Sequence, residues 1–266
     1  MIEWGLSMKF EEYANKYDNI RMSRVDGILE VVFHTDGGPL QWGHFGGAHT
    51  QFADAFADIA RDPENRIVIM AGTGDVFSGP PASEDEPFPG DAQTWDEIFR
   101  TGTQLTTSLL NIDALVISCI NGPAYRHPEV ALLADIVLAA DGATIVDSAH
   151  FPNRVTPGDG MNLVMPLLMG YNRGRYFLLT GQTLDAREAH SLGLVNEVMP
   201  REDLMPRARE LAAQLNRQNS LVIRYTRRLF THPLKRAVHD VLGYGLALEG
   251  LAYIDERARV AAGQGS

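Results

Sequence analysis

The stretch that decides the fold is GYNRGRYFLLTGQTLDAREA at residues 170–189, followed by GLVNEV at residues 193–198. Apolar side chains recur there at helical spacing, which predicts helices from Arg173 to Leu179 and from Ala186 to Leu192. From Gly160 onward, Leu194 to Val198 carries the only strand signal. Four more helices are predicted in this part of the chain, at Gly160 to Met169, Arg207 to Leu215, Leu221 to Phe230 and Lys235 to Ile254.

Upstream of that stretch, strand signals alternate with helix signals. Ile20 to Val25 and Ile28 to Phe33 flank Asp26-Gly27, a dipeptide that favours a hairpin because a type I′ turn needs positive φ. Further strands are predicted at Arg66 to Met70, around Val116, at Asp135 to Ala139 and at Thr144 to Val146. Strands that alternate with helices predict a parallel sheet with right-handed crossovers.

Composition excludes several classes of function. The 266 residues are 45% hydrophobic, enough for one large α/β domain, and the net charge of −11 argues against a nucleic-acid or anionic-membrane partner. No run of 18 apolar residues and no signal-peptide pattern occurs, so we expect a cytoplasmic protein. Cys119 is the only cysteine and lies in an apolar run, which predicts a buried, inert thiol.

No cofactor or metal is predicted. No glycine-rich phosphate-binding motif is present. The histidines at positions 34, 44, 49, 190, 232 and 239 show no metal-ligand spacing. Arg227 and Arg228 are predicted to lie on a solvated helix face, although basic residues of late helices can also meet nucleotide phosphates.

Three segments carry a resemblance to a known family. Residues 170–198, residues 116–122 running into Ala134-Asp135-Ile136, and Thr156-Pro157-Gly158-Asp159-Gly160 are similar to the crotonase (enoyl-CoA hydratase/isomerase) superfamily. The resemblance implies an α/β fold, a ClpP-like spiral of ββα units over residues 1–200. It also implies a helical C-terminal region, residues 201–266, through which a homotrimer or a hexamer (a dimer of trimers) forms.

The same resemblance shows where the chain departs from the family. Crotonases that bind acyl-CoA hold a thioester oxyanion between backbone N–H groups of two loops. The first loop reads Phe77-Ser78-Gly79-Pro80-Pro81-Ala82 here, and the second reads NGPAYRHPE at residues 121–129. Proline has no N–H, and Arg126-His127-Pro128 replaces small glycines with bulk. Gly79 keeps one possible donor and is predicted to bind substrate, but a two-amide oxyanion hole is not expected.

A narrower group within the superfamily, the β-diketone hydrolases, fits these departures better. The resembling features are His127-Pro128-Glu129, Ala149-His150-Phe151-Pro152, Pro157-Gly158-Asp159-Gly160, Trp42 and Glu249. Such enzymes cleave a carbon–carbon bond without CoA. The resemblance implies that His150 and Asp159 form a base pair, that His127 and Trp42 hold a carbonyl, and that Glu249 lines the same pocket.

These residue types suit the chemistry. Hydrolysis between two carbonyls needs an activated water, a polarised carbonyl and a proton for the departing enolate, and a histidine held by a carboxylate can activate the water. The predicted function is cofactor-independent retro-Claisen hydrolysis of a small, cyclic β-diketone. Two alternatives remain: an enoyl-CoA hydratase/isomerase-like enzyme and a non-catalytic subunit. Locally, Asp159 also fits a helix N-cap, and Glu129 fits a helix start.

Overall fold

The computed structural model describes residues 7–43, 47–81 and 90–263. Its strands are β1 (Ile20–Val25), β2 (Ile28–Phe33), β3 (Ile67–Gly72), β4 (Leu115–Ile120), β5 (Ile136–Ala140), β6 (Thr144–Ile145), β7 (Leu184–Asp185) and β8 (Glu197–Met199). Six of them form one sheet in the order β1-β2-β3-β4-β5-β8, while β6 and β7 pair separately. Only the β1–β2 pair of the main sheet is antiparallel. The predicted α/β fold is confirmed.

The hairpin turn has the predicted geometry. Asp26 and Gly27 have φ values of 52° and 79°, the left-handed conformation that a type I′ turn requires at both positions. The last strand differs from its prediction. It covers Glu197–Met199, whereas Leu194 closes the preceding turn by donating its N–H to the Ala189 carbonyl at 2.9 Å.

Helices flank the sheet. They are α1 (Phe10–Tyr13), α2 (Ala48–Arg61), α3 (Ala92–Asn111), α4 (Pro128–Leu132), α5 (Met161–Met169), α6 (Tyr171–Thr180), α7 (Ala186–Ser191), α8 (Arg201–Leu215) and α9 (Ser220–Ala261). Helix α8 lies against β3, β4 and β5, while α3 contacts both α2 and α9. The central strands β3 and β4 are buried along almost their whole length, as parallel strands covered on both faces must be.

Helix α9 is longer than predicted. Its 42 residues run without a break through Pro233, where the sequence predicts two helices. One buried stripe continues on both sides of the proline, formed by Ile223, Arg227, Thr231, Val238, Leu242 and Leu246. Packing along this stripe holds the helix together across the proline.

The predicted solvation of Arg227 is wrong. Its side chain is fully buried, its Nε donates to the Ile112 carbonyl at 2.8 Å, and it forms an ion pair with Asp135. The Asp135 carboxylate, whose side chain is 10% exposed, and the Ile112 carbonyl compensate the guanidinium where α9 crosses the end of α3. Arg228 is exposed as predicted, and it bonds Asp113 through two nitrogens.

Two expectations from composition concern burial and membranes. Cys119 is buried in β4, and burial raises the pKa of its thiol to about 12, as expected for an inert cysteine. Among the described residues, no helix combines the length and apolarity needed to cross a bilayer.

Parallel pairing positions the functional loops. Because β3 and β4 are parallel neighbours, the loops that follow them emerge at the same edge of the sheet. The Asn121 side chain joins the two loops, accepting the Gly72 N–H at 2.9 Å and donating to the Gly74 carbonyl at 3.0 Å.

Candidate active site

The backbone amides of the two loops are largely occupied. Tyr125 and Arg126 donate their N–H groups to the Ser78 carbonyl at 2.8 and 3.4 Å, and Pro128 has no N–H. The Ser78 hydroxyl in turn donates to the Arg126 carbonyl at 2.5 Å. The Tyr125 and Arg126 amides of the second loop are thus bonded to the first loop rather than directed at a substrate oxygen.

His127 stands at the end of the second loop, immediately before α4. Its φ of 49° is uncommon for a residue with a side chain. Its Nδ1 lies 2.7 Å from Glu129 Oε1, and its ring stacks on Trp42 with 4.4 Å between ring centroids. His49 lies edge-on, with its ring centroid 5.2 Å from that of His127. The imidazole is therefore held by a carboxylate at one edge and by aromatic rings beside it.

Trp42 and Gly79 meet through the backbone. The Trp42 N–H donates to the Gly79 carbonyl at 2.7 Å, so this glycine helps to fix the strand-like segment that carries the indole. The Trp42 side chain is buried, and its Nε1 has no hydrogen-bond partner within residues 7–43, 47–81 and 90–263. A buried indole N–H ordinarily bonds an acceptor, so Trp42 offers a donor beside His127.

His150 lies in the loop that follows β6 and is buried. Its Nδ1 is 2.6 Å from Asp147 Oδ1, and its Nε2 is 3.4 Å from Asp159 Oδ2 and 3.5 Å from Glu249 Oε1. The loop folds back so that His150 and Asp159 meet, as expected from the turn residues between them. The shortest contact is nevertheless with Asp147, on the other nitrogen.

Asp159 lies between the two imidazoles. Besides facing His150, its Oδ2 is 3.6 Å from His127 Nδ1. Its Oδ1 accepts the Met161 N–H at 3.3 Å, but the N-cap of α5 is Gly160, so the predicted N-cap role of Asp159 is wrong by one residue.

The C-terminal helix of the same chain supplies Glu249. Its Oε2 accepts the Gly158 N–H at 3.2 Å. A Cβ atom on Gly158 would lie 2.1 Å from the Gly245 carbonyl oxygen, so only glycine permits this approach of loop to helix. The Gly158–Gly245 contact therefore sets the position of Asp159 relative to Glu249.

Four carboxyl groups surround the two imidazoles. Burial opposes charge on His150, but Asp147 and Asp159 outweigh it and raise the pKa of His150 well above 6.5. Glu129 likewise raises the pKa of His127 against burial. Burial also opposes the charge on Asp159, yet His150 and His127 lower its pKa.

The glutamates respond differently. Burial raises the pKa of Glu249 to about 7, even though His150 opposes this, and burial raises the pKa of Glu129 as well. Two imidazoles cannot neutralise four carboxylates, so the cluster retains protons near neutral pH.

The cluster also has spacing that suits a cation. Ligand atoms of His127, Glu129 and Asp159 lie within 4.8 Å of one another, and so do those of His150, Asp159 and Glu249. In the first triad the histidine nitrogen already bonds a carboxylate. The second is the better candidate, because His150 Nε2 faces both acids and Asp147 bonds the other nitrogen.

Comparisons with known proteins agree with this fold. Residues 47–248 match the family model described as enoyl-CoA hydratase/isomerase. The chain belongs to that family, the crotonases. This crotonase is 31% identical to a carnitinyl-CoA dehydratase of Citrobacter koseri over 73% of its own length and 74% of the relative. With the corresponding Escherichia coli enzyme it shares 28% identity over the same fractions.

A solved structure is more similar. A β-diketone hydrolase from the cyanobacterium Anabaena, bound to (S)-3-oxocyclohexyl acetic acid, superposes on this crotonase with a TM-score of 0.88 and 41% identity. The superposition covers 92% of this chain and 98% of the other. An enoyl-CoA hydratase/isomerase from Mycobacterium paratuberculosis has a TM-score of 0.78 at 24% identity, a likeness of fold.

The structure brings together all six residues singled out from the sequence: His127, His150, Asp159, Trp42 and Glu249 around one cluster, with Gly79 bonded behind Trp42. Asp147 and His49 were missed. The only signal for Asp147 is its place three residues before His150. His49 lies on the amphipathic helix α2 and gives no local signal of its own.

Proposed function

We propose that this crotonase is a hydrolase that cleaves a carbon–carbon bond of a cyclic β-diketone, with water as its only co-reactant. The observation that carries the proposal is the pair of carboxylate-held imidazoles, His127 and His150, converging on Asp159 beside a loop whose Tyr125 and Arg126 amides are already bonded. This arrangement replaces backbone donors with groups that can move protons.

The water would be activated at His150. Nε2 of His150, Asp159 Oδ2 and Glu249 Oε1 face one another at separations that let one water molecule bond all three. Neutral His150 takes a proton from water as the oxygen attacks a carbonyl carbon. Because the pKa of His150 is raised, kcat/KM should increase with pH through a value above 6.5.

The attacked carbonyl would be held at His127. A protonated His127 and the Trp42 indole N–H are donors for the oxygen that becomes negative. When the tetrahedral intermediate collapses, the bond from the attacked carbon to the carbon between the carbonyls breaks. The His150 imidazolium then protonates that carbon, so one water is added and a keto acid is released.

The solved neighbour supports the substrate class. Its bound molecule, 3-oxocyclohexyl acetic acid, is a keto acid. Joining its carboxyl carbon to a ring carbon beside the ketone, with loss of water, gives a bicyclic β-diketone. At 41% identity over nearly the whole chain, a related diketone is the substrate we favour.

A second candidate function is acyl-CoA chemistry, favoured by the match to carnitinyl-CoA dehydratases at 31% identity. The bonded amides of Tyr125 and Arg126 count against it, since a thioester oxyanion would lack those donors.

A side-by-side assay tests the two functions. The purified protein is given the bicyclic β-diketone that yields 3-oxocyclohexyl acetic acid and, separately, crotonyl-CoA. We expect keto acid release, followed by proton NMR, and no hydration of crotonyl-CoA. Hydration of crotonyl-CoA that is lost in His150→Ala, without diketone cleavage, would establish the second candidate instead.

We also propose a trimer or hexamer. Large apolar side chains are exposed on the first half of α9 and on α5, namely Leu221, Val222, Tyr225, Leu229, Phe230, Leu167 and Leu168. Such a surface suits an interface. Light scattering should give three or six times the monomer mass of 29.3 kDa, and a mass of one chain at micromolar concentration would contradict the proposal.

A further inference from the structure

Asp147 contacts His150 at the ring nitrogen that faces away from Asp159 and Glu249. It follows β6, is 2% exposed, and lies against His150, which is 3% exposed. Its Oδ1 lies 2.6 Å from His150 Nδ1 and accepts the Ala149 N–H at 3.4 Å. Its Oδ2 is buried and has no hydrogen-bond partner in the part of the chain that the structure describes.

The turn that joins the two residues is fixed at several points. The Ser148 hydroxyl donates to the Tyr125 carbonyl at 2.6 Å, and the Asn153 N–H donates to the His150 carbonyl at 2.7 Å. The Asn153 side chain also donates to the Ser148 carbonyl. The geometry between Asp147 and His150 is therefore set by the turn itself.

The two nitrogens of His150 have different partners. A carboxylate at 2.6 Å from Nδ1 requires a hydrogen on that nitrogen. Asp159, at 3.4 Å from Nε2, is beyond an ordinary N–H···O hydrogen bond of about 2.7–3.2 Å. Nε2 is thus the nitrogen that can gain and lose a proton on the side of Asp159 and Glu249.

We propose that Asp147 is the positioning residue of the site: it orients the His150 ring and selects the neutral tautomer with hydrogen on Nδ1, leaving Nε2 to exchange the proton. The use of that proton rests on the proposed hydrolase function. Asp159 then belongs to the water-facing side rather than behind the base. The raised pKa of His150, to which Asp147 contributes more than Asp159, agrees with this division.

Histidine titration tests the proposal without any substrate. Protein labelled with ¹³C at histidine Cε1 gives eight signals, and His150→Gln assigns the one of interest. Asp147→Asn should increase the acid dissociation constant of His150 at least about tenfold, since a neighbouring charge is lost. Asp141→Asn is the matched control: it makes the same change at an exposed position outside the cluster and should leave His150 within twofold of the wild type.

The tautomer can be read in the wild-type protein, so a variant that fails to fold does not block the test. Ring ¹⁵N shifts above the titration midpoint should show His150 protonated on Nδ1. A neutral ring protonated on Nε2 overturns the proposal, as does a folded Asp147→Asn protein whose His150 titrates within twofold of the wild type.

Kinetics supply the third measurement. Asp147→Asn should lower kcat about 10³-fold and leave KM within a few-fold, approaching the roughly 10⁴-fold loss for the equivalent change in a serine protease. If the wild-type protein cleaves no diketone, the hydrolase proposal fails, while the titration and the tautomer still decide the role of Asp147. Unchanged kcat in a diketone-cleaving protein would contradict the positioning role.

Discussion

His127 and His150 are both bonded through Nδ1 to a carboxylate, at 2.7 and 2.6 Å, yet their surroundings differ. His127 lies against the Trp42 ring, with its backbone in the left-handed region at a φ of 49°. His150 instead faces Asp159 and Glu249. An imidazole bonded to a carboxylate can therefore serve two purposes. Beside Trp42 it can donate to a carbonyl oxygen, and beside Asp159 and Glu249 it can bond a water molecule.

Asp159 connects the two environments. It lies 3.4 Å from one imidazole and 3.6 Å from the other, and its charge favours protonation of both. The two histidines are for this reason electrostatically coupled, although each has its own orienting carboxylate, Glu129 on α4 and Asp147 in the loop after β6. Substitutions can separate the roles.

The largest effect should come from the histidines themselves. His150→Ala should lower kcat/KM for the diketone about 10³-fold, within the roughly 10²–10⁴ range of general acid–base catalysis. His127→Ala should cost about 10²–10³-fold through lost transition-state stabilisation. His190→Ala, at an exposed position on α7, is the control. Wild-type rates in His150→Ala would place the base elsewhere, with Glu249 the next candidate.

A smaller effect should come from adding Asp159→Asn to each histidine variant. With His150→Ala the double variant should lose little more than the worse single one, because His150 and Asp159 act on one water as a unit. In the double variant of His127→Ala and Asp159→Asn, the free-energy losses of the two single variants should be closer to additive. Steady-state kcat/KM for all five variants gives both interaction energies, and full additivity for the His150 pair would break the assignment.

Sequence reasoning worked where the determining contacts are local or follow a family pattern. Asp26-Gly27 fixes its own turn, so the hairpin was predictable. Trp42, His127 and Glu249 could be named only through the family resemblance, since no local periodicity brings an N-terminal indole to a C-terminal carboxylate.

Long-range packing explains the failures. Nothing near Pro233 indicates that α9 continues, because the stripe that holds it meets distant elements. Arg227 has the sequence context of a surface residue, because its partner Asp135 is distant in the chain and meets it only when α9 packs in place. Asp147 precedes His150 by three residues in an irregular turn. Outside a helix, a spacing of three residues does not predict a side-chain contact, so this pair could not be found from the sequence.

The free energy of unfolding should depend on pH through Glu249 and His150. Glu249 ionises in the unfolded chain near 4.5 but in the folded protein near 7, so ionisation costs stability as pH rises between these values. His150, with its raised pKa, likewise loses its stabilising charge as pH rises through that pKa. Glu249→Gln should therefore unfold at a higher temperature than the wild type at pH 8. The gain in free energy of unfolding should be on the order of 3 kcal/mol at most at pH 8, and smaller at pH 5.

Asp240→Asn, an exposed change on the same helix, is the control for that experiment. In thermal unfolding followed by circular dichroism, it should melt at the same temperature as the wild type at each of the two pH values. Equal melting temperatures for Glu249→Gln and the wild type at pH 8 would mean that the Glu249 carboxylate is solvated and not confined beside His150.

The smallest expected effect is that of a chelator. His150, Asp159 and Glu249 have ligand atoms spaced for a divalent cation, whereas in the other triad the His127 nitrogen is already bonded to Glu129. In the proposed chemistry, protons on the imidazoles and glutamates compensate the carboxylates, and water is activated by His150, so no metal ion is needed. Dialysis against EDTA should leave diketone turnover unchanged, and adding Zn²⁺ should inhibit by occupying Nε2 of His150. Activity that is lost to EDTA and restored by a divalent cation would show that His150, Asp159 and Glu249 bind a metal ion. Of the proposed roles, only that of His127 would then stand.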